Sequence, residues 1–209
     1  HLMSSLYDIA WLLNVRGGDI SYVPVVLSYL ALSQDSCIWF LQEEVVTETL
    51  KAYLDKNGIQ TRPYDDFYEY VKHIDEKETV LLNTSIVNYR ICDSLPDGVK
   101  VIDAEDPTVV MKAVKNEVQL ENLRKAHLKD AVAMCKFMYW LKTNIGKIPM
   151  TEISASDYLA SLRAEQEGFL DLSFATICGY ADHGAIVHYS ATEESDRQLK
   201  PESLLLVDS

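Results

Sequence analysis

Short apolar runs and amphipathic stretches take turns along the first half of the chain. Val25-Val26-Leu27-Ser28-Tyr29-Leu30 and Cys37-Ile38-Trp39-Phe40-Leu41 are apolar and rich in β-branched and aromatic residues, the texture of strands. From Val46-Thr47 to Asn57-Gly58 the period lengthens: Val46, Leu50, Tyr53 and Leu54 recur at helical spacing, and Asn57-Gly58 supplies a stop. The same alternation predicts a strand near Ile59 to Arg62, a helix from about Asp66 to Ile74 and a strand at Thr79 to Leu82. A helix near Ile86 to Asp93 and a strand at Val99 to Ile102 follow. Ahead of them, Tyr7 to Leu13 forms a short helical stretch broken at Arg16-Gly17-Gly18-Asp19, where no phosphate-loop pattern surrounds the glycines. Strands alternating with helices predict an α/β layered fold.

Near Pro107 to Asn116 the pattern changes, and the domain boundary is placed there, dividing the chain into residues 1–111 and 112–209. A long helix is predicted from about Glu117 to Asn144, ended by Gly146 and Pro149. Its apolar face is Leu120, Leu123, Ala126, Leu128, Ala131, Met134, Phe137, Met138 and Leu141, with Glu121, Arg124, Lys125 and Asp130 opposite. Thr151 precedes a second helix, Glu152 to about Glu167, ended by Gly168. Three strands then follow, Phe174 to Tyr180, Ala185 to His188 and Leu204 to Asp208, so this half is α+β and closes as a β-meander. The last two strands are expected to aim His188 and Asp208 at one cleft.

At 209 residues and 48% hydrophobic, the chain can bury one good core or two modest ones. Its 32 acidic against 19 basic residues give a net charge of -13, which repels phosphate backbones and anionic membranes and argues against nucleic acid or a membrane as partner. No apolar run approaches the roughly 20 residues that span a bilayer. His1-Leu2-Met3 lacks the pattern of a signal peptide and reads as a remnant of cloning. Cys37, Cys92, Cys135 and Cys178 are scattered, with no C-x-x-C pair, so they are taken as buried free thiols in a reducing cytoplasm.

Asp208 ends the apolar run Leu204 to Val207, a place where a charge asks for a metal or a base. Taken alone, it reads first as a plain turn aspartate closing an edge strand. His188 alone is a hydrogen-bonded core histidine or a surface one. His183, on the turn leading into that strand, is expected to be exposed and peripheral, and His73 and His127 have no partner that the sequence names. No G-x-S-x-G elbow occurs, and no cysteine sits in a nucleophile setting. Glu43-Glu44, Asp65-Asp66 and Glu193-Glu194 occupy adjacent positions that send the side chains apart, so they are solvated faces. Tyr64, Tyr68 and Tyr70 are expected to cover a core edge.

Taken in order, several segments resemble the Xaa-Pro aminopeptidases, metallopeptidases of the creatinase and prolidase superfamily with the pita-bread catalytic fold. Asp8 to Ile20, with Pro24-Val25 and Ser28-Tyr29, is similar to the opening of the middle domain in three-domain members. Lys112 to Asn116, Glu121, Arg124 to His127 and Asp130-Ala131 resemble the entry into the catalytic domain. Thr151 to Ala155, Leu172 to Phe174 with Thr176-Ile177, Gly184 to Tyr189 and Leu205 to Ser209 continue in the same order. The resemblance thus runs from about Leu6 to Ser209. One departure is His183-Gly184, where many relatives carry Asn-Gly or Asn-Ala.

The resemblance implies a creatinase-like α/β middle domain over 1–111 and the truncated start of a pita-bread catalytic domain over 112–209. It assigns Asp208 as the first of five ligands of a dinuclear centre holding two divalent ions, usually Mn2+, the other four ligands lying beyond Ser209. His188 would line the active site and contact substrate rather than metal, as a catalytic and substrate-binding group. The implied activity is removal of the N-terminal residue from peptides with proline second, by a cytoplasmic enzyme that is a homodimer when full length. Residues 1–209 alone would then be inert and hold no metal stably. Two alternatives stay open: a pita-bread relative that has lost its metal and binds peptides or proteins, and a prolidase-type dipeptidase.

Overall fold

Four strands, Leu2–Met3 (β1), Ser28–Leu32 (β2), Cys37–Leu41 (β3) and Ile59–Pro63 (β4), lie in that order in one sheet, antiparallel except for the parallel β3–β4 pair. Side chains along β2 and β3 alternate between two cores. Tyr29, Ala31, Ile38 and Phe40 point into one, Leu30, Trp39 and Leu41 into the other. Both strands are therefore near-continuous apolar runs, since a strand covered on both faces has no solvent side to make polar. Each fully buried large side chain here contributes roughly 1.5–3 kcal/mol by leaving water.

The first face is covered by helices Phe67–Lys72 (α3) and Tyr89–Ser94 (α4), the second by Leu6–Leu13 (α1) and Glu48–Lys56 (α2). Thr47 caps α2, its hydroxyl oxygen accepting from the Leu50 amide at 3.2 Å, and Gly58 just past its end has φ +70°, which only glycine adopts freely. A separate parallel pair, Thr79–Leu82 (β5) and Lys100–Asp103 (β6), follows. The region where the texture changes is itself a helix, Pro107–Ala113 (α5), with proline in its first turn. It packs on α1 through Lys112, whose ammonium lies 2.8 Å from Asp8.

The computed structural model describes every residue from His1 to Ser209, in two compact units, His1–Val114 and Lys115–Ser209. Leu2 and Met3, read from sequence as part of a remnant, are integral to the sheet, pairing with Ala31 and Leu30 at 3% and 1% exposure. Tyr64, Tyr68 and Tyr70 pack at the edge of the first core, as expected.

The second unit opens with Glu117–Asn144 (α6) and Glu152–Ala164 (α7). Both start with a reciprocal capping box, Asn116 with Gln119 and Thr151 with Ser154. The predicted stripe of α6 is only partly covered: Phe137 is buried, Leu120, Met134 and Leu141 are half-buried, and Leu123, Leu128 and Met138 stay exposed, while Ala133, off the stripe, is buried. At 28 residues α6 is about 40 Å long, and α7, with 13, about 20 Å, so α7 cannot cover it. Arg163 and Asp130, 2.7 Å apart, mark where α7 runs out along α6.

Two strands complete the unit, Ile177–Tyr180 (β7) and Leu205–Asp208 (β8), paired antiparallel. The register sets Ile177 opposite Asp208, which leaves residues 174–176 of the predicted strand unpaired. The strand predicted over Ala185 to His188 does not form. Lacking a partner ladder, its backbone closes local turns instead: Ala181–Ala185 is 3-10 helix, the Ile186 amide donates to the His183 carbonyl, and Tyr189 to that of Ile186. All four cysteines are free, but only Cys178 is buried and Cys135 is exposed, correcting the expectation of four buried thiols.

Candidate functional site

Residues opposite one another in an antiparallel pair share a face of the sheet. Cys178 with Val207 and Tyr180 with Leu205 face the core of the second unit. Ile177 with Asp208 and Gly179 with Leu206 therefore share the other face, where Asp208 and Leu206 are exposed. Gly184 lies on this face too. A Cβ on Gly179 would come within 3.0 Å of Gly184, and one on Gly184 within 3.4 Å of Leu206 Cβ. The segment that leads to His188 is thus draped over the sheet on the side that carries Asp208.

His188 itself is exposed and sits in the left-handed region at φ +56°, as does Ala181 at φ +56°. For residues with a Cβ this conformation costs roughly 1–2 kcal/mol each and persists only where the surroundings fix it. The expectation that two neighbouring strands deliver His188 and Asp208 fails in its geometry, since His188 comes from a loop. No hydrogen bond or ion pair joins the two side chains.

What fixes the loop is a buried acid. Glu152, in the first turn of α7, is fully buried, and its carboxylate accepts four donors. Oε1 takes the Tyr180 amide at 2.7 Å and His183 Nδ1 at 2.9 Å; Oε2 takes the Tyr189 hydroxyl at 2.8 Å and the Arg197 amide at 3.2 Å. A guanidinium can only donate, and Arg197 NH2 stands 2.9 Å from His183 Nε2, so that nitrogen is assigned as the acceptor and the ring proton to Nδ1. Arg197 is held in turn by Asp182. Burial, with the facing Glu152 carboxylate, raises the Tyr189 hydroxyl above its usual range. Burial pushes the Cys178 thiol up to about 12, helped by the charges of Glu152 and Asp196.

His183, expected to be exposed and peripheral, is thus 14% exposed at its side chain and tied to a buried acid. Sequence reasoning missed this group altogether. Glu152 enters the sequence only as the start of a helix and Tyr189 only in a family-like segment, and nothing local marks an acid in a first helical turn as buried. His73 and His127 are exposed, and Glu43-Glu44, Asp65-Asp66 and Glu193-Glu194 are solvated, as expected.

A divalent metal centre needs several oxygen or nitrogen donors converging on one point. No group of three or more His, Cys, Asp or Glu side chains is placed to hold an ion. Asp208 is a single exposed carboxylate, so residues 1–209 do not by themselves fit a dinuclear centre. No helix is long and apolar enough to cross a membrane.

Residues 1–119 match the Creatinase/Prolidase N-terminal domain, and residues 121–209 match metallopeptidase family M24. The mixed α/β chain therefore belongs to the creatinase/prolidase family of metallopeptidases. Among its relatives, Xaa-Pro aminopeptidase 1 of Dictyostelium discoideum is 33% identical over the whole of this chain and 33% of its own length. Aminopeptidase P2 of Arabidopsis thaliana is 30% identical, over all of this chain and 34% of its own. The crystal structure of the X-prolyl aminopeptidase from Caenorhabditis elegans, a cytosolic enzyme with a di-nuclear active site, matches with a TM-score of 0.92 and 28% identity. That match covers 99% of this chain and 35% of the worm enzyme. The chain thus spans about a third of the length of the proteins it matches.

Proposed function

We propose that the intact polypeptide is a metal-dependent aminopeptidase that removes the N-terminal residue from peptides with proline in second place. The observation that carries this reading is the continuous match of this chain, through both regions, to aminopeptidases of Dictyostelium discoideum and Arabidopsis thaliana and to the X-prolyl aminopeptidase of known structure from Caenorhabditis elegans. Residues 1–111 are the creatinase-like middle domain in this proposal, and 112–209 the start of the catalytic domain. Asp208 supplies one carboxylate to a centre of two divalent ions, and carboxylate-rich sites favour manganese. The remaining donors come from the length that the relatives have beyond this match, so residues 1–209 alone are inactive. His188, exposed on the Asp208 side of the sheet, is the substrate-contacting histidine. The worm enzyme's cytosolic setting supports a cytoplasmic one here.

The test is to supply the intact gene product with a divalent metal and a pair of peptides differing only in proline or alanine at the second position. Release of the first residue from the proline peptide alone is expected. Equal release from both, or from neither, contradicts the proposal.

A further inference from the structure

The Glu152 cluster serves no purpose in the reading above, yet it grips both ends of the segment that presents His188. Its amide partner Tyr180 ends β7 immediately before the segment, and its hydroxyl partner Tyr189 follows His188 directly. Between these anchors, His183 reaches the same carboxylate through Nδ1 and packs against the Tyr189 ring, with centroids 4.6 Å apart and the planes tilted by 35°. The two left-handed residues, Ala181 and His188, stand at either end of the gripped span. Strain of that kind is retained when the surroundings over-determine the backbone.

We propose that Glu152 and His183 are positioning residues that hold the 181–189 turn so that His188 is presented, in its left-handed conformation, on the face of the sheet that carries Asp208. The inference rests on the reading of His188 as a substrate-contacting group. Neither residue has a polar atom to spare for substrate: Glu152 is fully buried, and both ring nitrogens of His183 are engaged, by Glu152 and Arg197. Glu152 is the fixed point, bound to α7, and His183 is the strut that carries its hold to the middle of the turn. Arg197 closes the far side of the imidazole and is oriented by Asp182.

The substitutions that separate this from a general structural role follow from atom positions. His183→Asn keeps an N–H donor at the δ position, where it can still meet Glu152, whereas His183→Ala removes it. Glu152→Gln leaves the size unchanged and turns one acceptor into a donor, which sets it against a backbone amide or the imidazole. Tyr189→Phe keeps the ring and removes a single donor.

Two readouts on the intact gene product decide the matter. The first is hydrogen exchange across 180–197, which needs no activity: protection is expected in the parent and in His183→Asn, and faster exchange in His183→Ala and Glu152→Gln, with α6 and α7 unchanged. The second is KM for an Xaa-Pro peptide, expected to rise roughly tenfold in His183→Ala and Glu152→Gln and to return near the parent value in His183→Asn. A mere loss of folded protein lowers the apparent kcat and leaves KM alone. Should His183→Ala fail to fold, Tyr189→Phe takes its place, with the same direction in both readouts. Unchanged exchange across 180–197, an unchanged KM, or an equal defect in His183→Asn and His183→Ala overturns the proposal. If the parent shows no Xaa-Pro activity, the functional reading fails by itself, and the exchange arm still decides whether Glu152 and His183 hold the turn.

Discussion

Asp8 is 2% exposed on α1, yet it stays charged because partners reach it from both directions along the chain. Burial pulls its carboxyl upward, but the Lys112 ammonium at 2.8 Å and the Ser5 hydroxyl outweigh that and hold it below the ordinary carboxylate range. A carboxyl depressed in the fold stabilises it fully above its unfolded value of about 3.9, and the contribution is lost as pH falls through the folded value. Lys112→Met is therefore expected to lower stability by about 1–3 kcal/mol at neutral pH. The difference should shrink as pH falls and Asp8 itself protonates, which removes the charge that Lys112 partners. Urea midpoints of the two proteins at neutral and acid pH check this, and a difference that grows on acidification contradicts it. Asp8 and Glu152 share a reason for being illegible in sequence. Both occupy the first turn of a helix, where an acid is ordinarily an exposed partner of the helix dipole. What buries them is Lys112 in one case and Tyr180, Tyr189 and Arg197 in the other, and no local pattern announces partners so far along the chain. Asp208 stands out in sequence as a charge closing an apolar strand, yet alone it reads first as a turn aspartate, and only the resemblance assigns it a ligand's role.

Elements whose partners lie close in the chain were read closely. β3 and β5 fall where the apolar runs place them, and α2 and β4 differ only at their ends, because Thr47 and Gly58 carry their own capping chemistry. Where the outcome depended on a distant partner, the sequence misled. The run Ile186-Val187-His188 has the composition of a strand but no ladder to join, and α6, placed at Glu117–Asn144 as predicted, has a long apolar stripe of which α7 covers only the C-terminal part. This makes a contrast between two positions on one helix. Phe137, 2% exposed, packs in the core of the second unit, and Leu128 is 67% exposed. Phe137→Ala is expected to destabilise by about 3–5 kcal/mol through lost burial and the cavity left behind. Leu128→Ala should stay within about 0.5 kcal/mol, as surface changes do. Denaturant unfolding of both variants tests the pair, and equal effects would show that Leu128 is covered after all.

Across the whole molecule, each unit keeps its own core, and the two residues proposed for function, Asp208 and His188, lie toward one side of the short β7–β8 sheet. Its buried side is filled by Cys178, Tyr180, Leu205 and Val207, and its exposed side carries Asp208, Leu206 and the turn leading to His188. That division follows from strand periodicity alone, and it makes Asp208 the residue on which the functional account depends. The most direct measurement is the rate at which the intact gene product, with aspartate or asparagine at position 208, releases the first residue of an Xaa-Pro peptide, read together with bound metal by elemental analysis. Asp208→Asn is nearly isosteric and exposed, so the fold should be unaffected, while turnover falls to background and bound metal falls with it. Near-normal turnover with an unchanged metal content would contradict the assignment of Asp208 and the account built on it.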